Sequence, residues 1–174
     1  GTTTLPLSRS GAEPDFSKLE ASASYGQSFL GERMHLSLSG KAQTSFGDAL
    51  VSSEQFGLGG FDWLSAFDSG KIQGDAGAAI RAELSLPVTL ALADPFGGAT
   101  APYVFGAAGI TRLQQPTALE QGVTRASAFG AGVRLGLSQK ASLHSASLTL
   151  EYAHGEASSI DNANTFNMRF ISRF

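Results

Sequence analysis

Runs of alternating apolar and polar residues dominate the chain. The clearest is Met34–Phe46, where apolar residues alternate with serines, Lys41 and Gln43. A period of two over that length predicts a β-strand with one apolar face. Similar runs predict strands at Phe16–Phe29, Ala78–Leu92, Arg125–Ser138, Leu143–Ala153 and Phe166–Phe174, and a strand without clean alternation, rich in glycine and alanine, is predicted at Tyr103–Leu113. No helical period separates them, so the pattern predicts about seven antiparallel strands.

The connections between these strands are expected to alternate in length. Short turns are predicted at 31–33 and 139–142, a middling connection at 93–102, longer loops at 114–122 and 155–165, and the longest at 47–77. Many of the predicted strands have ten residues or more, whereas strands in globular proteins usually have five or six and membrane-spanning strands need roughly 9–11. Outer-membrane barrels combine such strands with short turns at one end and longer loops at the other. Pro87 conflicts mildly with its strand, because proline cannot donate a ladder hydrogen bond.

The composition favours the membrane alternative over a soluble one. Charged residues make up 16% of the chain, against roughly 25% in a typical soluble domain. The net charge of −3 gives no electrostatic case for nucleic acid, and without cysteine there is no disulfide or thiolate site. A soluble β-sandwich would also alternate, so that alternative stays open on pattern alone.

Charges within the predicted strands fall on the face opposite the aliphatic residues. In a membrane barrel this polar face points into the lumen and the apolar face contacts lipid. The predicted lumen lining is Lys18, Lys41, Arg81, Glu83, Arg134, Glu151 and Arg169. An unfolded polypeptide would slide past such a lining without sticking.

The irregular segment 47–77 is centred on Glu54–Asp75. It holds the one tryptophan of the chain, Trp63, and three phenylalanines among glycines. Loops this long are usually functional or disordered, and aromatic side chains need burial. We therefore expect this loop to fold back and pack against another surface.

Enzymatic chemistry finds little support in the sequence. His35, His144 and His154 belong to different predicted strands and have no ligand spacing. No nucleophile elbow or phosphate-binding loop is present, and the aspartates of the loop fit no calcium motif. The sequence predicts no enzyme activity, no cofactor and no metal site.

The loop carries a specific resemblance. Residues 53–61 read SEQFGLGGF, residues 64–67 read LSAF, and Gly70 to Asp75 read G-x-x-x-G-D. This resembles the long loop of two-partner secretion transporters, the haemolysin activation and secretion proteins of the barrel-assembly-factor superfamily. That family has S-E-Q-F-x-L-G-G, then V-R-G-F or V-R-G-Y, then G-x-x-x-G-D. The resemblance extends over essentially the whole chain.

The resemblance implies an all-β, antiparallel transmembrane β-barrel in the bacterial outer membrane. A complete family barrel has about sixteen strands, two periplasmic domains before it and a loop that folds into the lumen. The implied function is porin-like transport of a secreted partner protein without ATP. The implied loop motif comprises Glu54, Gln55, Phe56, Leu58, Gly59, Gly60, Trp63, Ser65, Phe67, Gly74 and Asp75. The final residue, Phe174, resembles the signature that the barrel-assembly machinery reads.

Two departures from the family pattern concern one ion pair. Ser65 stands where the family has the loop arginine, and Ala107 stands where a later strand has aspartate. Losing both members of a buried pair is near neutral, whereas losing one is costly. The departures imply that the loop lacks its usual anchor and depends on packing of Trp63 and Phe67.

Residues 1–174 match only the last seven or eight strands of a family barrel. A seven-stranded sheet has two edges, and unpaired backbone groups are costly in lipid. The chain is therefore expected to be the C-terminal half of a larger polypeptide. The alternatives are closure with another chain or with copies of itself, or a small barrel with an eighth strand from residues 1–10. The rival function is a small or oligomeric outer-membrane barrel with a structural role and no transport.

Overall fold

The computed structural model describes residues 11–12, 15–139 and 144–174. Its strands are β1 (Leu19–Phe29), β2 (Met34–Thr44), β3 (Phe56–Gly57), β4 (Gln73–Gly74), β5 (Ala76–Ser85), β6 (Val88–Leu90), β7 (Phe96–Arg112), β8 (Val123–Gln139), β9 (Ser145–Ala157) and β10 (Ala163–Arg173). One 3-10 turn covers Ser52–Glu54. In these ranges no helix is long and apolar enough to cross a membrane.

The strands form one large antiparallel sheet and one small hairpin. The large sheet has eight strands in the order β1-β2-β5-β7-β8-β9-β10, and β6 pairs with β7. The hairpin pairs β3 with β4. Neighbours in the large sheet follow chain order, so its strands run up and down, and β1 and β10 are its edges within the described residues. The predicted all-β, antiparallel fold is confirmed, as an open sheet of the kind that makes up part of a barrel.

One predicted strand is interrupted. The run Ala78–Leu92 divides into β5 and β6, with Leu86 and Pro87 between them. Leu86 still donates a backbone hydrogen bond to Pro102 at 2.9 Å. Pro87 has no N–H to continue the ladder, so the proline conflict seen in the sequence has a structural consequence.

Two predicted connections are too long. The prediction of a connection of intermediate length at 93–102 is wrong, because β7 begins at Phe96 and pairs with β8 from its first residue. The loop 155–165 is also wrong, because β9 continues to Ala157 and β10 begins at Ala163. The turn at 139–142 lies mostly outside the described residues, and Gln139 itself ends β8.

With the corrected bounds, the two longest connections, 45–75 and 113–122, still lie at the same end of the sheet. Because successive strands reverse direction, the segments 45–75, 113–122 and 158–162 lie at one end of the sheet. The segments 30–33 and 91–95 lie at the other end and are short. Strands β7 and β8 each have 17 residues. Long strands with unequal loops at the two ends are typical of outer-membrane barrels.

The two faces of the large sheet differ in chemistry. We call the face that carries Arg81, Tyr103 and Glu151 the inner face, and the opposite one the outer face. Large apolar side chains are exposed along the outer face: Ile80, Val104, Phe129, Tyr152, Phe166, Met168 and Phe170, with Phe129 62% and Met168 70% exposed. A continuous exposed apolar surface marks contact with another apolar phase or partner.

The hydrophobic core lies between the inner face and the segment 45–75, which we call the long loop. From the loop it takes Phe56, Leu58, Leu64, Ala66, Phe67 and Ile72. From the sheet it takes mainly small residues, with two rings: Ala79, Tyr103, Phe105, Ala107, Ala126, Ala128 and Ala153. The loop therefore folds back onto the sheet, as its aromatics and glycines predict.

Candidate functional site: the long loop on the inner face

The long loop is compact and held by its own backbone hydrogen bonds. Leu58 N donates to Ile72 O at 3.0 Å, and Gly60 N donates to Phe67 O at 2.9 Å. Gly60 has a φ of +106°, a conformation that favours glycine. Gly59 passes so close to the Asp68 carbonyl that a Cβ atom would overlap it. These contacts explain the two motif glycines.

Asp75 ties the two ends of the loop motif together. Its carboxylate is fully buried. Oδ1 accepts hydrogen bonds from Leu50 N at 2.9 Å and Gln55 Nε2 at 3.2 Å, and Oδ2 accepts one from Gln114 N at 2.6 Å. Donation to a carboxylate is stronger than a neutral hydrogen bond. Gln55 and Asp75, twenty positions apart, therefore contact each other directly.

The sheet adds Gln43, a residue that the sequence did not single out. Its Nε2 donates to the backbone oxygens of Glu54 at 3.0 Å and Asp75 at 3.1 Å. Lys18 pairs with Glu20 at 2.7 Å and with Glu54 at 2.8 Å. The hydrogen bonds from Lys18 to Glu20 and Glu54 raise the pKa of Lys18, and the bond to Glu20 has the larger effect. Lys18 thus joins the start of β1 to the loop.

Arg81 reaches from β5 to the tip of the loop. Its Nη1 donates to Trp63 O at 2.9 Å and lies 3.5 Å from Ser65 Oγ, while Nη2 pairs with Glu151 Oε2 at 2.8 Å. Tyr103 donates to the same carboxylate oxygen at 2.7 Å. The guanidinium stacks 3.6 Å from the Phe105 ring centroid.

Strand β10 holds the same tip from the edge of the sheet. Thr165 Oγ1 donates to Ala66 O, and Asn167 Nδ2 donates to Ser65 O, both at 2.8 Å. Arg169 pairs with Asp62 at 3.0 Å and lies 3.9 Å from the centroid of the neighbouring ring, Phe61. Asn167 and Thr165 were not among the predicted site residues, because short polar residues on a strand carry no motif.

Lys41 binds the loop from β2. Its ammonium donates to Gly57 O at 2.7 Å. It also lies 4.6 Å from the Phe56 ring centroid and 4.7 Å from that of Trp63. Cation–π contacts at this distance are attractive. Cations of the sheet and aromatics of the loop thus meet at both Lys41 and Arg169.

Glycines of the sheet make room for the loop. A Cβ at Gly155 would lie 2.6 Å from Ala66 Cβ and 2.7 Å from Phe67 Cε2, so Phe67 packs directly on the bare backbone. A Cβ at Gly109 would overlap Leu58. The close approach requires glycine at both positions.

The chain has neither residue of the family's usual ion pair, and the contacts of the loop with the sheet go beyond the packing of Trp63 and Phe67. Phe67 is 2% exposed and packs as predicted, whereas Trp63 is only half-buried. The other contacts are hydrogen bonds from sheet side chains to backbone oxygens of the loop, and ion pairs to the loop side chains Asp62 and Glu54. The sequence did not reveal these contacts, because most of the loop groups involved are backbone carbonyls, which every residue has.

The seven predicted lining charges lie on the inner face or at its margin. Glu151 is buried beneath the loop and is not part of an open lining, whereas Arg81 is mostly buried but still borders the cavity beside the loop tip. Glu83 and Arg134 form a two-pronged pair at 2.5 and 2.7 Å. Beside the loop tip, a cavity of about 570 Å³ is lined by residues that include Ser37, Glu83, Arg134 and Arg169.

The substituted pair positions lie next to Arg81. Ser65 is 3% exposed and faces Arg81. Ala107 on β7 is the direct antiparallel partner of Arg81 on β5. A guanidinium is therefore present beside Ala107 even though position 65 lacks one.

Comparison with known families gives one match that covers most of the chain. The family model described as haemolysin secretion/activation protein ShlB/FhaC/HecB matches residues 2–139. The chain belongs to this family. No curated protein and no solved structure matches it.

The family is one of outer-membrane proteins of two-partner secretion, and the resemblance found in the sequence is confirmed. The match includes the whole long loop and ends at the last residue of β8. Glu151 on β9 and the three β10 residues that hold the loop tip lie beyond it.

Proposed function

We propose that this chain forms part of a pore that moves a secreted partner protein across the bacterial outer membrane. The observation that carries the proposal is the long loop itself. A loop with the family motif fills the polar face of a sheet whose opposite face is apolar. That arrangement suits a barrel wall with lipid on one side and an aqueous conduit on the other.

The outer face supports the membrane location. Its exposed aromatic and aliphatic side chains would cost about 25 cal/mol for each Å² of apolar surface left in water. Contact with outer-membrane lipid removes that cost. Phe174 follows β10 and is 95% exposed, which leaves it open to the barrel-assembly machinery.

The inner face supports a conduit that does not retain its cargo. Glu83 pairs with Arg134, and Asp62 pairs with Arg169. Charges that are already paired attract an extended polypeptide weakly, so the chain moves past them without a strong binding step. The proposed role is transport rather than catalysis.

The sheet needs further strands to make a closed wall. The edges at β1 and β10 leave backbone N–H and C=O groups without strand partners among the described residues. Such groups cost several kcal/mol each in lipid. We propose that strands of a larger polypeptide, or copies of this sheet, close the barrel, with residues 1–174 as one barrel region and the loop inside it.

The test is a comparison of secreted proteins with and without the gene. Loss of the protein should remove at least one protein from the culture medium, and re-expression should restore it.

Purified protein in a planar lipid bilayer should also conduct ions, with higher conductance when residues 58–72 are replaced by a short Gly–Ser linker. The loop fills the inner face, so its removal widens the path.

A structural barrel without transport is the second candidate. The observation that favours it is the same loop, because its core contacts with the sheet plug the inner face. That candidate predicts membrane insertion, an unchanged set of secreted proteins and no conductance while the loop is present. The two candidates therefore differ in both assays.

A further inference from the structure

We propose that Arg81 is the positioning residue that holds the long loop on the inner face, and that Glu151 and Tyr103 hold Arg81 in place. The proposal concerns the position of the loop, not the identity of any cargo. It can therefore fail while the transport proposal stands.

The geometry of Arg81 sets it apart from the other cations of the inner face. One nitrogen of its guanidinium contacts the loop at Trp63 O and Ser65 Oγ, and the other contacts Glu151 on β9. A planar guanidinium presents several donors in a fixed fork. Arg81 therefore connects three segments of the chain: β5, β9 and the loop tip.

The surroundings leave Arg81 few alternative positions. Its side chain is 9% exposed, and that of Glu151 is fully buried. Phe105 covers one face of the guanidinium, and the Tyr103 hydroxyl donates to the carboxylate oxygen that Arg81 also binds. A buried charge that is paired on two sides is held in one geometry.

Glu151 shows that the loop closes over a site that is not fully satisfied. Its Oε1 is buried and accepts no hydrogen bond from any residue that the structure describes. Burying an acceptor without a donor opposes closure. The bonds from Arg81 to the loop and to Glu151 offset this cost, and release of the loop would rehydrate Glu151.

Arg134 provides a matched control on the same face. It pairs with Glu83 through both terminal nitrogens and lies 4.1 Å from the Tyr103 ring centroid. It contacts Glu83 and Tyr103 on the sheet and not the loop, and Glu83 also lies 3.7 Å from Arg81. Removing its charge changes the inner face by one cation, as removing Arg81 does, but removes no hydrogen bond to the loop.

The chain has a built-in probe of loop position. Trp63 is its one tryptophan, and its backbone oxygen is the one that Arg81 binds. In the closed loop its ring is half-buried beside Lys41. Release of the loop should shift its emission to longer wavelength and increase quenching by acrylamide.

The experiment measures Trp63 quenching in the membrane-embedded chain for R81Q, E151Q, R81Q/E151Q and R134Q. We expect at least a twofold rise in the quenching constant for R81Q and for the double variant, and no change for R134Q. The double variant is decisive, because it removes both the arginine and the negative charge of Glu151, which R81Q alone leaves without its cationic partner. R81K, which keeps the charge without the fork, should fall between the wild type and R81Q.

Either of two results would overturn the proposal. If R81Q/E151Q returned to wild-type quenching, the loop would respond to an unpaired charge and not to the bonds of Arg81. If R81Q left quenching unchanged while circular dichroism showed intact strands, other contacts would hold the loop. A variant that unfolds is recognised by loss of its strand signal, and R81K, the milder change, then takes its place under the same criterion.

Discussion

At the residue scale, the motif of the loop is a set of mutual contacts. Gln55 and Asp75 are both motif residues, and they are hydrogen-bonded to each other. The sequence alone links them to a family but not to one another, because nothing in the spacing says that the loop doubles back. Gln43 was not predicted for a related reason. Polar residues are expected on the polar face of a strand, so nothing in the sequence shows that the loop covers this one.

The buried carboxylate of Asp75 leads to a prediction about stability. Asp75→Asn removes a charge-assisted acceptor and places an amide N–H₂ against donors such as Leu50 N and Gln114 N. Weakening or misplacing such buried bonds costs about 1–3 kcal/mol. The change should lower the urea midpoint, the urea concentration at which half of the protein is unfolded. The folded fraction is measured from the difference in gel migration between unheated and heated samples.

Asp68→Asn is the control for this prediction. Asp68 belongs to the same loop and is exposed, so the same chemical change there should leave the midpoint unaltered. Equal midpoints for the two variants would show that the buried carboxylate contributes nothing special.

Positions 65 and 107 give a second prediction at this scale. Ser65→Arg alone should loosen the loop, because it adds a second cation beside Arg81. Ala107→Asp should offset the effect, because position 107 is the cross-strand partner of Arg81. Directly opposite residues on paired strands interact. A double-mutant cycle on Trp63 quenching should give a coupling energy of about 1–3 kcal/mol.

Additive effects of these two substitutions would contradict the expected coupling. The matched substitution Ala108→Asp places the same charge on the outer face, at a residue that pairs with Ile80. It should not rescue Ser65→Arg.

At the element scale, strand identity was predictable and strand ends were not. Alternation located six of the seven long strands, because an apolar face demands a period of two. The run Tyr103–Leu113, which became part of β7, alternates poorly. Gly97 and Gly98 belong to the connection predicted at 93–102, yet they lie within β7, where they pair with β8. Likewise β9 continues past its predicted end at Ala153, and His154 contacts Asn164 across the β9–β10 pair. Tertiary pairing overrides local turn chemistry in both places.

The fit between the loop and β9 gives a prediction about one glycine. Gly155→Ala adds a methyl group 2.6 Å from Ala66 Cβ, so the loop must move away. Overpacking of this kind costs about 1–3 kcal/mol. The variant should increase Trp63 quenching while the strand signal in circular dichroism stays constant.

Gly106→Ala is the matched substitution on the same sheet. A Cβ at Gly106 meets nothing within 4 Å. Its quenching should equal that of the wild type. If the two alanine variants behaved alike, loop packing on the bare backbone of Gly155 would not determine the loop position.

At the scale of the whole molecule, some charged residues are buried and many large apolar residues are exposed, which is the opposite of a soluble β-sandwich. Charged pairs such as Arg81–Glu151 are buried under the loop, and large apolar residues such as Phe129 and Met168 are exposed. The sequence predicted which residues share a face, since alternation fixes that. It did not predict that one polar face would acquire its own small hydrophobic core, because that core depends on Tyr103 and Phe105 facing the loop.

The central claim is that the outer face contacts lipid and the inner face contacts water. It is tested most directly by cysteine labelling, because the chain contains no cysteine of its own. Ser37→Cys lies in the inner cavity and Phe129→Cys on the outer face. In isolated outer membranes, a membrane-impermeant maleimide should modify Ser37→Cys within minutes and leave Phe129→Cys unmodified until the protein is denatured. Rapid modification of Phe129→Cys in the native membrane would contradict the account, because that side chain would then lie in water.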